Sequence, residues 1–177
     1  MTLLYTRAHT ELIRQQIIDR YVIPIVKRAF EKYPQINSAT FAVAQYWDYG
    51  VSKIHDFFLY SVLDIPNWEA FAQSEKECIE DLVNLPDFEE ERERFFCWFI
   101  EKELSKEEKE LCNWDNTREL IPAFAAFCKE GSHQNMNYSE VYTPYAILTR
   151  TDNGIAVEIV GKMLRPWLDG IRPKRGW

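Results

Sequence analysis

The sequence predicts a single α+β domain. It has a small antiparallel sheet of two β-hairpins, at about residues 40–63 and 141–161, packed against an N-terminal helix and a helical insertion at about 67–131. Three observations carry this. Residues 141–161 (VYTPYAILTRTDNGIAVEIVG) place β-branched and aromatic runs on both sides of Asn153-Gly154, a pair that tolerates the positive φ angles of a two-residue hairpin turn. Residues 40–63 repeat that plan around Asp48-Tyr49-Gly50. Elsewhere apolar residues recur at three- and four-residue spacing, the period of an amphipathic helix. At 177 residues the chain fits one domain. A chain of that size buries about 70% of its unfolded surface and needs no disulfide or metal staple.

The N-terminal helix rests on Leu12, Ile13, Gln16, Ile17, Arg20 and Tyr21. Pro24 removes a backbone donor and crowds the preceding turn, so a kink or restart belongs there. Ile25, Val26, Ala29, Phe30 and Tyr33 resume the stripe, and Pro34 ends it. In the strand TFAVAQYW (40–47), Phe41, Val43, Gln45 and Trp47 share one face. Ala42, Ala44 and Tyr46 share the other, where the small alanines predict close packing from across the sheet. Residues 53–63 (KIHDFFLYSVL) suit a strand or a helix with Ile54, Phe58, Leu59 and Val62 as its stripe. Their β-forming side chains and the preceding turn favour the strand.

Beyond Asp64-Ile65-Pro66, Asn67 or Ser74 caps a helix with Cys78, Ile79, Leu82 and Val83 as its apolar face; Ser74 with Glu77 has the capping-box spacing. Pro86-Asp87 opens the next helix, whose early carboxylates suit its positive end. Phe95, Phe96, Phe99 and Ile100 bury its far half. Ser105 with Glu108 is a further capping box, and Asn116 with Glu119 a weaker one. Leu120, Phe124, Phe127 and Cys128 form a last stripe that Gly131 stops. The polar loop 131–140 (GSHQNMNYSE) then feeds the second hairpin. There Ile155, Val157 and Ile159 alternate with Ala156 and Glu158, predicting a buried face. A two- or four-residue turn sets Ala146 and Leu148 beside Val157 and Ile159; a three-residue turn with a bulge sets Ile147 and Thr149 there. Pro144 marks an edge or an irregular start. Met163, Leu164, Trp167 and Leu168 suggest a short helix interrupted by Pro166.

The net charge of −7 disfavours nucleic acid as a partner, because phosphate binding rests on Lys and Arg. The charge is uneven. Residues 69–110 carry 15 acidic and 6 basic side chains, whereas 162–177 carry 5 basic and 1 acidic. Glu89, Glu90 and Glu93 therefore make an acidic helical face open to a protein partner with a basic surface. The longest aromatic-apolar run, 95–100, is too short to span a bilayer. Cys78, Cys97, Cys112 and Cys128 lack CxxC spacing, so no zinc or redox motif is signalled, and with no signal peptide a reduced cytoplasmic setting is expected. No GxGxxG, GxxxxGK[ST], HExxH, GxSxG or EF-hand pattern occurs, so no cofactor or metal is implied.

Two groups carry the remaining chemistry. His55 and Asp56 are neighbours on a strand, pointing to opposite faces, so each needs a partner from another element. Ser132, His133, Asn135, Asn137 and Tyr138 place amides, hydroxyls and an imidazole on one loop, suited to a polar ligand or a peptide backbone. A Cys128–His nucleophile pair is disfavoured, because Cys128 sits at the negative end of its helix. The expectation is a non-catalytic cytoplasmic binding protein engaging a partner through the acidic face. The alternative is a small enzyme acting on a polar metabolite, with His55 and His133 as acid-base residues. The sequence sets no oligomeric state.

Overall fold

The computed structural model describes residues 7–48, 51–73, 82–83, 85–106, 108, 123–133 and 135–170. Its sheet has five antiparallel strands: β1 (Ser38–Asp48), β2 (Val51–Ser61), β3 (Leu82–Val83), β4 (Thr143–Thr151) and β5 (Gly154–Ile159), in the order β3-β2-β1-β4-β5. Both predicted hairpins are present, and they join where β1 pairs with β4. Residues 53–61 are strand, as the β-formers favoured. The pairs Phe41–Phe58, Ala39–Tyr60, Phe41–Ala146 and Ala39–Leu148 define one face of the sheet. All these side chains are buried against the helices.

α1 (Arg7–Ile17) and α2 (Ile23–Lys32) form one continuous rod through a π-helical turn at Ile18–Val22. The Ile23 N–H reaches back to the Ile18 carbonyl. Pro24 has no N–H for the usual bond, and the wider turn makes room for its ring. The predicted interruption thus takes the form of a π-turn. Ile13, Ile17, Tyr21, Ile25, Val26 and Ala29 line the buried stripe, but Leu12 lies off it at 58% exposure.

α3 (Trp68–Gln73) starts at Asn67, whose Oδ1 accepts the Ala70 N–H at 3.0 Å. α4 (Pro86–Trp98) opens on Pro86 as expected. The Ser105–Glu108 capping box is reciprocal, with bonds of 2.6 and 3.1 Å. Leu82 and Val83 depart from the helix expected of them: they pair with Ser61 and Tyr60 as β3, because the open edge of β2 takes their backbone groups. Near the predicted last helix, the described residues show only a 3₁₀ turn at Ala125–Phe127. The Ser74–Glu77 and Asn116–Glu119 caps, Cys78, Ile79, Cys112, Leu120 and the Tyr49-Gly50 turn lie outside the described residues.

The opposite face of the sheet carries a second, smaller core. Ala42 and Ala44 are fully buried beneath Val141 and Tyr142, with Tyr46, Phe57, Trp68 and Met136 around them. The small alanines do admit close packing. Val141 is not strand, however: Tyr138–Val141 is a helical turn, α5, closed by an Asn137–Glu140 capping box. β4 begins at Thr143, and Pro144 sits beside a bulge in its pairing with β1.

In the second hairpin Ala146 pairs with Ile159 and Leu148 with Val157, the register of a two-residue turn. The turn residues are Asp152 and Asn153 instead of Asn153 and Gly154; Gly154 opens β5 at φ 143°. Of the expected buried face of β5 only Ile155 packs against the core. Val157 is 36% and Ile159 49% exposed, and Ile155 is half-buried. The helices cover β4 and stop short of the edge strand. Met163 and Leu164 precede, and Trp167 falls within, a 3₁₀ turn at Pro166–Leu168 that Pro166 opens instead of interrupting.

A Cβ added at Gly154 meets no other atom within 4 Å, so a methyl group there meets only backbone strain. Gly154→Ala is expected to cost about 1 kcal/mol or more in urea unfolding, since the native φ suits glycine. An unchanged midpoint contradicts that account of the turn.

Candidate functional site

Asp56 leaves β2 toward the helices and meets Arg92 of α4 and Tyr21 of the π-turn. Arg92 Nη1 donates to Asp56 Oδ2 at 2.9 Å and to Tyr21 Oη at 2.9 Å, while Tyr21 Oη donates to the same Asp56 oxygen at 2.8 Å. Arg92 also gives Nε and Nη2 to Glu89 Oε2, at 3.0 and 2.8 Å. The Asp56 and Arg92 side chains are only 14% and 12% exposed. Burial alone disfavours the guanidinium's charge, but Asp56, Tyr21 and Glu89 together hold it firmly protonated. Burial, and then Asp56, raises the Tyr21 hydroxyl well above its ordinary value, so it stays a neutral donor.

His55 points the other way, as strand alternation requires. Its ring stacks on Tyr46, centroids 3.8 Å apart and nearly parallel. Farther along that face Phe57 packs against Phe71, Tyr138 and Tyr142. His55 and Asp56 nevertheless meet at the rim of one cleft of about 260 Å³, completed by Arg92, Glu93, Phe96 and Cys97.

The candidate residues of the 131–140 loop are dispersed. Ser132 is buried, while His133 and Asn135 are exposed; His133 lies outside the cleft of His55. Asn137 is committed to capping α5, and Tyr138, though 54% exposed, lays its ring on Phe57 and Tyr142. On α4, Glu89 is held by Arg92. Glu90 approaches Arg94 at 3.9 Å, and Glu91 approaches Arg28 and Lys32 at 3.9 and 3.7 Å. Cys128 is fully buried with its thiol against the Phe124 carbonyl, and burial pushes that thiol up to about 12, far from a reactive thiolate. Among the described residues no group of three His, Cys, Asp or Glu is placed to hold a metal ion, and no helix is long and apolar enough to cross a membrane.

The other exposed feature of the molecule is apolar. Five of the ten large hydrophobic side chains exposed among the described residues fall within one stretch of eleven: Val157, Ile159, Met163, Leu164 and Trp167. The second half of that stretch is fixed. The Leu164 and Arg165 N–H groups both donate to the Ala126 carbonyl, at 2.8 and 2.9 Å. Arg165 also binds the Ala125 carbonyl and Gln45, and buried Asp169 pairs with buried Arg14 at 2.9 Å. Arg165 and Asp169 turn inward and hold the segment, so Met163, Leu164 and Trp167 stand outward on a fixed support. Three large apolar residues around a proline, in the most basic part of the chain, were the sequence signal for this surface.

The chain matches no protein-family model, no curated protein and no solved structure.

Asp56→Ala is expected to cost roughly 3 kcal/mol in urea unfolding, because it strands a buried guanidinium. Glu89→Gln, at a half-exposed carboxylate, should cost about 1 kcal/mol or less. Similar small losses for both would contradict the assignment of Asp56 as the principal partner of Arg92.

Proposed function

We propose that this chain is a non-catalytic binding protein whose partner is another protein, engaged along the apolar surface from Val157 to Trp167. The observation that carries this is the gathering of half the large hydrophobic side chains exposed among the described residues into that one stretch. Scattered exposed hydrophobics need no explanation, but contiguous ones do. Aromatic and methionine side chains are enriched at the centres of protein interfaces. A surface already held rigid also loses little conformational entropy on binding.

The acidic face of α4 supports the reading less well. Glu89 and Glu91 face cations of the same chain, which cancels part of the field a basic partner would need. A small enzyme is the second reading, favoured by the cleft that brings His55 to Asp56. It is weaker because Asp56 already accepts from Arg92 and Tyr21, and because His133 stands outside that cleft.

The test replaces Met163, Leu164 and Trp167 by serine together and measures binding of the full chain to its partners, untagged copies of itself included. The expected result is roughly thirtyfold weaker binding, the worth of one buried aromatic anchor, with an unchanged circular dichroism spectrum. Glu90→Lys with Glu93→Lys should leave that binding within about twofold, the effect of exposed charges. Loss in the charge-reversed variant and none in the serine variant contradicts the proposal.

A further inference from the structure

The backbone of β5 identifies what the strand half of this surface takes. The Arg150 N–H donates across to Asn37 at 2.7 Å, on the β1 side, and Arg150 is paired with Ile155. The Val160 N–H donates to the Tyr145 carbonyl at 2.9 Å, on the β4 side. Antiparallel residues alternate between facing their neighbour and facing away. The N–H and C=O groups of Ala156 and Glu158 therefore serve the ladder with β4, and those of Ile155, Val157 and Ile159 face outward. No described residue hydrogen-bonds to them from that side. The edge carries little of the usual protection: GIAVEI contains no proline, no lysine and no bulge, and Glu158 is its one charge.

We infer that β5 pairs antiparallel with β5 of a second copy of this chain, about a two-fold axis at Val157, joining two five-stranded sheets into one of ten. This rests on the reading of Val157 to Trp167 as an interaction surface and names the occupant of its strand half. The β5 sequence is self-complementary in that register. Val157 meets Val157 of the second copy, and Ile155 meets Ile159 twice. All three outward residues are used, each pair exchanging two N–H···O bonds. Ala156 lies across from Glu158, so the glutamates are not opposed. A shift that centres the axis on Glu158 would oppose them. At both ends the register carries exposed Lys162 toward exposed Asp152 of the second copy, an opposite-charge match made twice by symmetry. At the other edge of the sheet β3 covers only Tyr60 and Ser61, and among the described residues no strand pairs with the outer side of β2 from Val51 to Leu59, so the preference for β5 rests on its self-complementary sequence.

The test is sedimentation of the full chain over a concentration series, for wild type, Val157→Lys and Val157→Pro. Position 157 gives no hydrogen bond to β4, so proline there removes only an outward donor, and lysine adds an edge charge at a side chain already exposed. The expected result is a reversible dimer for wild type and monomers for both variants, all with the same circular dichroism spectrum. Val157→Cys should in addition oxidise to a linked dimer, because the axis brings the two Cα atoms to about 5.5 Å. Ile155→Cys, facing Ile159, should not exceed wild type in linked dimer. A wild-type monomer at every concentration, or a dimer indifferent to both substitutions, overturns the pairing. If either result comes with Trp167-dependent binding of another protein, or with a dimer lost on Trp167→Ser alone, the interaction reading stands and only the strand pairing falls. Neither self-association nor any Trp167-dependent binding removes both.

Discussion

β1 must be covered on both faces, and the rest of the molecule follows from that. Every residue from Ala39 to Ala44 is buried. Toward one side Phe41 and Val43 need the helix layer, and Tyr21, Phe58 and Phe124 converge there. Toward the other, Ala42 and Ala44 are short enough for Val141 and the Tyr142 ring to lie against the backbone. A strand with neighbours on both sides and layers on both faces fixes its two hairpins relative to each other. Cover then thins outward. Ala146 and Leu148 on β4 are sealed, while their partners Ile159 and Val157 on β5 are half open. The exposed edge is the place where the helix layer runs out.

Arginine does most of the tethering between layers. Arg92 joins α4 to β2 and to Tyr21. Arg14 joins α1 to Asp169 and the Ala123 carbonyl, and Arg150 joins β4 to the carbonyls of Phe30 and Ile36. A planar guanidinium with several donors can serve two or three acceptors at once. Such buried polar ties add little net stability over an apolar core, yet breaking one is costly, because it strands its partner. They also account for groups that look chemical in isolation. Asp56 and Glu89 are spent on Arg92, and Asn137 on a helix cap.

The strands and the cap signals were legible because each is local. A turn between β-branched runs, Pro86 at a helix start, and Ser105 three residues before Glu108 act through neighbours in the chain. Residues 82–83 were misread because an open sheet edge decided their state, and no local pattern reports such an edge. The alternation of Ile155, Val157 and Ile159 correctly gave a strand but left two registers open, of which the two-residue turn takes one. It could not say whether a second layer exists above that strand, which depends on how far the helices reach. The partners of Asp56 were hidden for the same reason: Tyr21 and Arg92 lie 35 and 36 positions away. What the sequence offered as a site was polar, and the surface proposed here to bind is apolar.

Amide hydrogen exchange reads, residue by residue, whether a second copy completes the uncovered edge of β5. Ala156 and Glu158, bonded to β4, should be protected at any protein concentration. Ile155, Val157 and Ile159 should exchange rapidly in dilute solution and slow as the concentration rises, because their outward N–H groups gain partners only in the pair. Exchange at those three amides that stays fast at every concentration would contradict the pairing.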